Sequence, residues 1–84
     1  MNIIHTVKMV SWRLKHTMDI HGVTRYALQK RTGIAMNTLR ALYDGETLRP
    51  DLQVLDRVVH ALREMTGKAI TLQDLLEYTP TQGG

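Results

Sequence analysis

Residues 24–45 read TRYALQKRTGIAMNTLRALYDG, and this stretch is the most informative about the fold because it holds two short helical patterns on either side of a glycine. Thr24 is a favourable N-cap, so the first pattern predicts a helix through Arg31 with Leu28 as its main inward residue. Gly33 ends this helix, because glycine accepts the left-handed conformation that commonly follows a helix.

The second pattern predicts another helix over residues 36–43. Leu39 and Leu42 lie three residues apart and face inward, and Gly45 ends the helix. Two helices joined by a short turn that contains a glycine form a helix-turn-helix, whose second helix is presented to the major groove of DNA. This stretch therefore predicts a DNA-binding unit.

Upstream of this unit, Val10, Leu14 and Met18 recur at four-residue spacing. The spacing predicts a first helix over residues 10–20 with one apolar face toward the core. Trp12 falls off this face, and we expect it to pack at the edge of the core.

Downstream of the unit, the proline at position 50 favours an extended connection, because proline disfavours helix in the residue before it. Asp51 can then cap a fourth helix that Gly67 ends. The inward stripe of this helix follows helical spacing and consists of Leu52, Leu55, Val58, Val59 and Leu62.

Near the end of the chain, Thr71 followed by Asp74 forms a variant capping box, a pattern typical of the start of a helix. It predicts a short fifth helix that inserts three leucines into the core: Leu72, Leu75 and Leu76.

At 84 residues the chain has the length of one domain. The predicted fold is all-α, a compact bundle of five short helices that contains the helix-turn-helix. We expect an N-terminal arm over residues 1–9, extended or a short strand, with a continuation of the first helix as the alternative. The helix-turn-helix domain covers residues 10–78, and a disordered tail covers residues 79–84.

The chain has no cysteine, which excludes disulfides, thiolate zinc sites and cysteine nucleophiles and fits a reducing compartment. No apolar run is long enough to span a membrane and no signal segment opens the chain, so we expect a cytoplasmic protein. The four histidines lack the spacing of a metal site, and there is a single serine. We therefore predict no enzymatic activity and no bound metal, cofactor or small molecule.

The formal net charge of +3 is unevenly distributed along the chain. Residues 1–49 carry eight Lys or Arg against three Asp or Glu, a net +5, whereas residues 50–84 carry three against five, a net −2. The basic surplus lies in the part that contains the predicted helix-turn-helix. This distribution favours a polyanionic partner.

Apolar residues and glycines at characteristic positions over residues 10–78 carry a family resemblance. They are Leu28, Gly33, Ile34, Leu39, Leu42, Gly45, Pro50, Leu52, Leu55, Asp74, Leu75 and Leu76. With this pattern the chain resembles the Cro/repressor (XRE) helix-turn-helix proteins of phages and bacteria. The resemblance implies a lambda repressor-like domain that binds double-stranded DNA, as a homodimer on half-sites about one helical turn apart.

The resemblance also assigns roles to the outward residues of the recognition helix. The candidate base readers are Met36, Asn37, Arg40 and Ala41. Asparagine pairs with adenine, arginine reaches guanine or a phosphate, and the two apolar residues contact a thymine methyl. For Asn37 and Arg40 the alternative is an ordinary solvated position.

The candidate phosphate contacts are Thr24, Arg25, Lys30, Tyr43 and Arg49. Arg25 begins the second helix, whose N-terminal amides add affinity for anions, and Arg49 follows the motif. Such contacts fix the register and supply salt-dependent affinity without reading sequence. For Lys30 a solvated role is equally open, and for Tyr43 packing at the edge of the core is the favoured alternative.

Two residues, Gln29 and Ala35, depart from the family pattern. Gln29 stands where the family usually has alanine, at the close approach of the two helices. Ala35 stands at the N-cap of the recognition helix in place of serine or threonine, which costs about 1 kcal/mol. Asp44 lies near the expected path of the phosphates and is unfavourable for affinity there.

These features predict a sequence-specific regulator of transcription, with repression by operator occupancy as the expected mode. Without a separate dimerisation domain, the dimer contacts come from the end of the fourth helix and the fifth, or from residues 2–9, and we favour the former. The alternative is an antitoxin or adaptor that acts mainly through a protein partner.

Overall fold

The computed structural model describes residues 9–80. In that part of the chain, four α-helices are flanked by two short strands and a 3₁₀ turn. The order is β1 (Val10–Trp12), α1 (Leu14–Ile20), α2 (Arg25–Thr32), α3 (Met36–Tyr43), α4 (Leu52–Thr66), the 3₁₀ turn (Leu72–Asp74) and β2 (Leu76–Tyr78). The fold is therefore mostly helical, and α2 and α3 form the predicted helix-turn-helix.

The ends of the helices follow the capping residues of the sequence. Thr24 Oγ1 accepts a hydrogen bond from the Ala27 N–H at 3.0 Å, which fixes the start of α2. Gly33 ends α2 at φ 74°, in the left-handed region where a side chain would be strained. Asp51 Oδ1 accepts from the Gln53 N–H at 2.7 Å and starts α4. These predicted boundaries are confirmed.

A single core draws on every helix. Its buried apolar members are Leu14, Met18, Leu28, Ile34, Leu39, Leu42, Leu55, Val58, Ala61, Leu62, Ile70 and Leu75. The predicted inward residues of α2 and α3 are all among them. The core therefore fixes α3 from one side and leaves its other side to solvent.

The two ends of the domain meet in an antiparallel strand pair, in which Val10 lies opposite Tyr78 and Trp12 opposite Leu76. The Arg13 N–H donates to the Leu75 carbonyl at 2.7 Å just beyond the pair. The Arg13 and Glu77 side chains form an exposed ion pair at 3.2 Å. The pairing closes the domain, since it joins the chain before α1 to the chain after α4.

The prediction of an all-α bundle of five helices is wrong at both ends. Val10–Trp12 is a strand rather than the start of the first helix, and Leu76 lies in β2 rather than in a fifth helix. The Thr71 N–H does donate to Asp74 Oδ2 at 2.8 Å, but this capping pair opens only one 3₁₀ turn. Pairing between distant segments overrides the local helical pattern, as it commonly does for β-branched and aromatic residues.

Three residues predicted to face inward are exposed instead. Val10 is 56% exposed because it lies in β1, and Leu72 is 50% exposed at the start of the 3₁₀ turn. Leu52 is 78% exposed, since it is the first residue of α4 and precedes the part of the helix that packs on the core. The inward stripe of α4 therefore begins at Leu55.

The predicted arm and tail fall mainly outside the described residues. Of the arm, only Met9 is described, and of the tail, only Thr79 and Pro80. The Thr79 N–H donates to the Met9 carbonyl at 2.6 Å, so backbone pairing continues by one residue beyond each strand.

Among the described residues, every helix is too short or too polar to cross a membrane.

Candidate nucleic-acid interface

The turn between α2 and α3 is held by a threonine and by buried apolar side chains. Thr32 Oγ1 donates to the Leu28 carbonyl at 2.9 Å and accepts from the Ile34 N–H at 3.2 Å. Leu28 and Ile34 are both buried in the core. The two helices are thus fixed relative to each other through the turn itself, so the side chains that α3 presents are carried on a rigid unit.

The recognition helix α3 has a buried side and an exposed side. Leu39 and Leu42 are each 1% exposed, whereas the side chains of Asn37 and Arg40 lie in solvent. Arg40 Nη1 is 3.4 Å from Asn37 Oδ1, a long hydrogen bond that leaves both groups free to exchange it for a ligand. A polar amide and a guanidinium are the two groups that read adenine and guanine edges.

The two apolar candidate readers are less exposed than the sequence predicts. Met36 and Ala41 are half-buried. Thr38 is exposed on the same helix and is not among the predicted contacts. The position of Thr38, one residue after Asn37, could have identified it as a candidate contact. A threonine in the first turn of a recognition helix can bond a base or a phosphate.

A charged cluster lies where α1, α2 and α3 meet. The Arg25 guanidinium carbon is 4.8 Å from the centroid of the Tyr43 ring, and Lys15 Nζ is 5.9 Å from the same ring. The Tyr43 hydroxyl donates to Asp19 Oδ1 at 2.8 Å. A cation over a tyrosine ring is attracted by the ring quadrupole, so Tyr43 holds the arginine at the start of α2.

The hydrogen bond to Asp19 raises the pKa of Tyr43 above its ordinary value of 10.0, and burial and the negative charge of Asp19 act in the same direction. The nearby Arg25 charge opposes the shift. The hydroxyl is therefore neutral and committed to Asp19. Tyr43 also packs against the core, which is the packing role that the sequence favoured over a phosphate contact.

Lys15 and Asp19 are members of this cluster that sequence reasoning missed. They lie four residues apart on α1, so they share one face of that helix. Nothing in the sequence indicates that this face meets Tyr43, because the contact depends on how α1 crosses α3.

The other candidate phosphate contacts lie in different settings. Lys30 Nζ is 5.6 Å from the ring of the exposed Tyr26, one turn earlier on α2. Arg49 is exposed in the connection between α3 and α4. Thr24 uses its hydroxyl to cap α2. A phosphate-binding role for these three residues stays a prediction.

Of the two residues that depart from the family pattern, Ala35 has a direct structural consequence. Ala35 is the N-cap of α3, with no side-chain hydrogen bond to the first turn. Gln29 is half-buried, and Asp44 is exposed as the C-cap of α3. The predicted start of α3 is confirmed, and with it the absence of a side-chain cap.

The helix-turn-helix, with one buried and one exposed side on its second helix, is the arrangement of a DNA-binding domain. The family of Cro/C1-type HTH DNA-binding domains matches residues 13–81. The match covers most of the chain, and the chain therefore belongs to this family. No curated protein and no solved structure matches it.

Proposed function

We propose that the protein is a sequence-specific regulator of transcription that places α3 in the major groove of operator DNA. The observation that carries this proposal is the exposed pair Asn37 and Arg40, held on a helix whose opposite side is fixed in the core. The proposed mode is repression by operator occupancy, in the cytoplasm of a bacterium or of a phage-infected cell. The proposed DNA-binding form is a homodimer of lambda repressor-like domains.

Within this proposal, base reading and phosphate binding belong to different residues. Asn37 and Arg40 read base edges, with Met36 and Ala41 in apolar contact beside them. Arg25 binds a phosphate, supported by its position at the start of α2, where free amides and the helix dipole favour anions. Lys30 and Arg49 complete the proposed phosphate-contacting set, in which Tyr43 acts by holding Arg25 and Thr24 by fixing the start of α2.

The experiment is selection from a random pool of DNA duplexes, followed by affinity measurements on the selected duplex at several salt concentrations. We expect one sequence to be enriched. We also expect log K to fall linearly with log salt, by about 0.9 for each phosphate contact. Recovery of the pool without enrichment would contradict sequence-specific binding.

Four single variants test the division of roles. Asn37→Ala and Arg40→Ala should each lower discrimination between the selected duplex and its base-substituted versions by about 1–3 kcal/mol. Arg25→Ala should weaken all duplexes alike and reduce the salt slope by about 1. Arg57→Ala is the matched control, because it removes the same charge from an exposed position on α4. Equal losses from Arg25→Ala and Arg57→Ala would show that only net charge matters.

Repression is tested separately from binding. The selected sequence is placed across a promoter in a purified transcription reaction, and the protein is added at increasing concentration. Loss of transcript that follows occupancy supports repression, and a rise in transcript contradicts it.

A further inference from the structure

A depression of about 430 Å³ lies beside the start of α2, where α1, α2 and α3 meet. Its lining includes Asp19 from α1, Thr24 and Arg25 at the start of α2, and Tyr43 from α3. Asp19 and Arg25 carry opposite charges. The proposed phosphate contact Arg25 therefore shares its surface with a carboxylate, which by itself repels a phosphate.

Tyr43 binds both of these charged side chains, at different parts of its ring. The Arg25 guanidinium lies over the ring, 4.8 Å from its centroid, whereas Asp19 Oδ1 accepts a hydrogen bond from the hydroxyl at 2.8 Å. Within residues 9–80, Arg25 forms no ion pair with a carboxylate. Asp19 is thus bonded to the tyrosine and not to the arginine, which leaves the guanidinium N–H groups available for a phosphate.

The ring of Tyr43 is held at both ends. It packs against the core, and its hydroxyl donates to the Asp19 carboxylate, a charge-assisted bond that is stronger than a neutral one. This bond fixes the direction of the ring face, which is the part of the ring that attracts Arg25. Arg25 is half-buried in this arrangement. An arginine that is ordered before binding loses less conformational entropy when it meets a phosphate.

We propose that Asp19 is a positioning residue for DNA binding, which holds Tyr43 so that the tyrosine ring holds Arg25 toward a DNA phosphate. The inference rests on the proposed function, because Arg25 is a phosphate contact only within that proposal. It extends the residues that determine DNA affinity from the helix-turn-helix to α1. Its consequence is that an acidic residue supports the binding of a polyanion, the opposite of what its charge predicts.

Two variants of equal charge separate the hydrogen bond of Asp19 from its charge. Asp19→Asn removes the negative charge but keeps an amide oxygen that accepts from the Tyr43 hydroxyl. Asp19→Leu removes the same charge together with the acceptor, and leucine is close to aspartate in size. Any gain in affinity from the lost repulsion is common to both variants. The difference between them therefore measures the contribution of the bond to Tyr43.

The test is the affinity of both full-length variants for a duplex of mixed sequence and for the selected duplex, at several salt concentrations. We expect Asp19→Leu to bind about two- to fivefold more weakly than Asp19→Asn, the range that corresponds to one exposed cation–π contact. The slope of log K against log salt should also be smaller for Asp19→Leu, by up to about 0.9. The ratio should be the same on both duplexes, because phosphate contacts do not read sequence. Equal affinities and slopes for the two variants overturn the inference.

A second comparison shows whether Asp19 acts through Arg25. In a chain that carries Arg25→Ala, the Asp19→Asn and Asp19→Leu variants should bind alike, because no arginine is left to position. A difference that persists in this background would reveal a general structural role and overturns the inference. Failure to enrich any duplex overturns the proposed function alone, since the mixed-sequence duplex still decides the role of Asp19. Absence of binding to every duplex overturns both.

Discussion

The helix-turn-helix and the terminal strand pair are built in opposite ways. In α2–α3 the caps, the turn and the glycine lie within a few residues of the groups they bond, and the exposed side is polar and charged. In the strand pair the partners are far apart in sequence, 64 residues for Trp12 and Leu76, and the solvent-facing end is apolar. The structure of the first region is determined by interactions between residues close in sequence, and its exposed side is suited to binding DNA. The structure of the second region forms only when the two ends of the domain meet.

The largest expected effect tests whether the terminal segment belongs to the core as much as α3 does. Leu75 is fully buried just before β2, so Leu75→Ala should lower the free energy of unfolding by about 2–5 kcal/mol. Leu72→Ala is the control from the same predicted helix. It is 50% exposed and should cost less than about 1 kcal/mol. Denaturant titration of both variants gives the values, and equal losses would show that the predicted fifth helix forms in solution.

The next effect concerns the link between the two regions. Trp12 Nε1 donates to the Thr47 carbonyl at 2.7 Å, which connects β1 to the segment after α3. Trp12→Phe keeps an aromatic ring but removes the donor, and we expect a loss of about 1–2 kcal/mol in unfolding free energy. Thermal melting measures it. An unchanged midpoint would mean that the two regions are held together by packing alone.

The accuracy of prediction from sequence follows the same division. Thr24 and Asp51 are predicted correctly because an N-cap bonds an amide two or three residues away, a distance that sequence alone fixes. Gly33 is predicted correctly because glycine accepts the left-handed conformation that ends α2. Val10 and Leu76 were assigned to helices because their partners lie at the other end of the chain, and no local rule identifies them. In the candidate interface, Asn37 and Arg40 could be selected from the helical period of α3. The contact of Tyr43 with Asp19 could not be predicted from the sequence, since it depends on how α1 crosses α3.

A smaller effect compares two helix starts within the locally specified region. Thr24 caps α2, whereas Ala35 leaves the first turn of α3 without a side-chain acceptor. Ala35→Ser should therefore raise the free energy of unfolding by about 1 kcal/mol, and Thr24→Ala should lower it by a similar amount. Ala35 has φ −58° and ψ 140°, an extended conformation from which a serine can cap. Paired thermal melts test both, and a loss from Ala35→Ser would show that its side chain cannot reach the α3 amides.

The smallest effect is the titration of Tyr43. Its pKa in the folded chain lies above 10.0 because its hydroxyl donates to Asp19. As the pH rises beyond 10, the unfolded chain loses this proton first, so the contribution of Tyr43 to stability is complete below pH 10 and is lost above it. The difference in tyrosinate absorbance between the unaltered chain and Tyr43→Phe isolates this group. Asp19→Asn should bring its midpoint down toward 10.0.

The same titration also tests whether the charged cluster and the strand pair respond independently to pH. Ionised Tyr43 would place a second negative charge beside Asp19, which breaks the hydrogen bond between them, whereas Arg25 still attracts the ionised ring. The bond from Trp12 to Thr47 contains no ionisable group and should persist through the same pH range. Loss of the Asp19 contact with an unchanged tryptophan fluorescence spectrum is the expected result. A simultaneous change in both signals would mean that the charged cluster and the strand pair open together, and that the two regions are one cooperative unit.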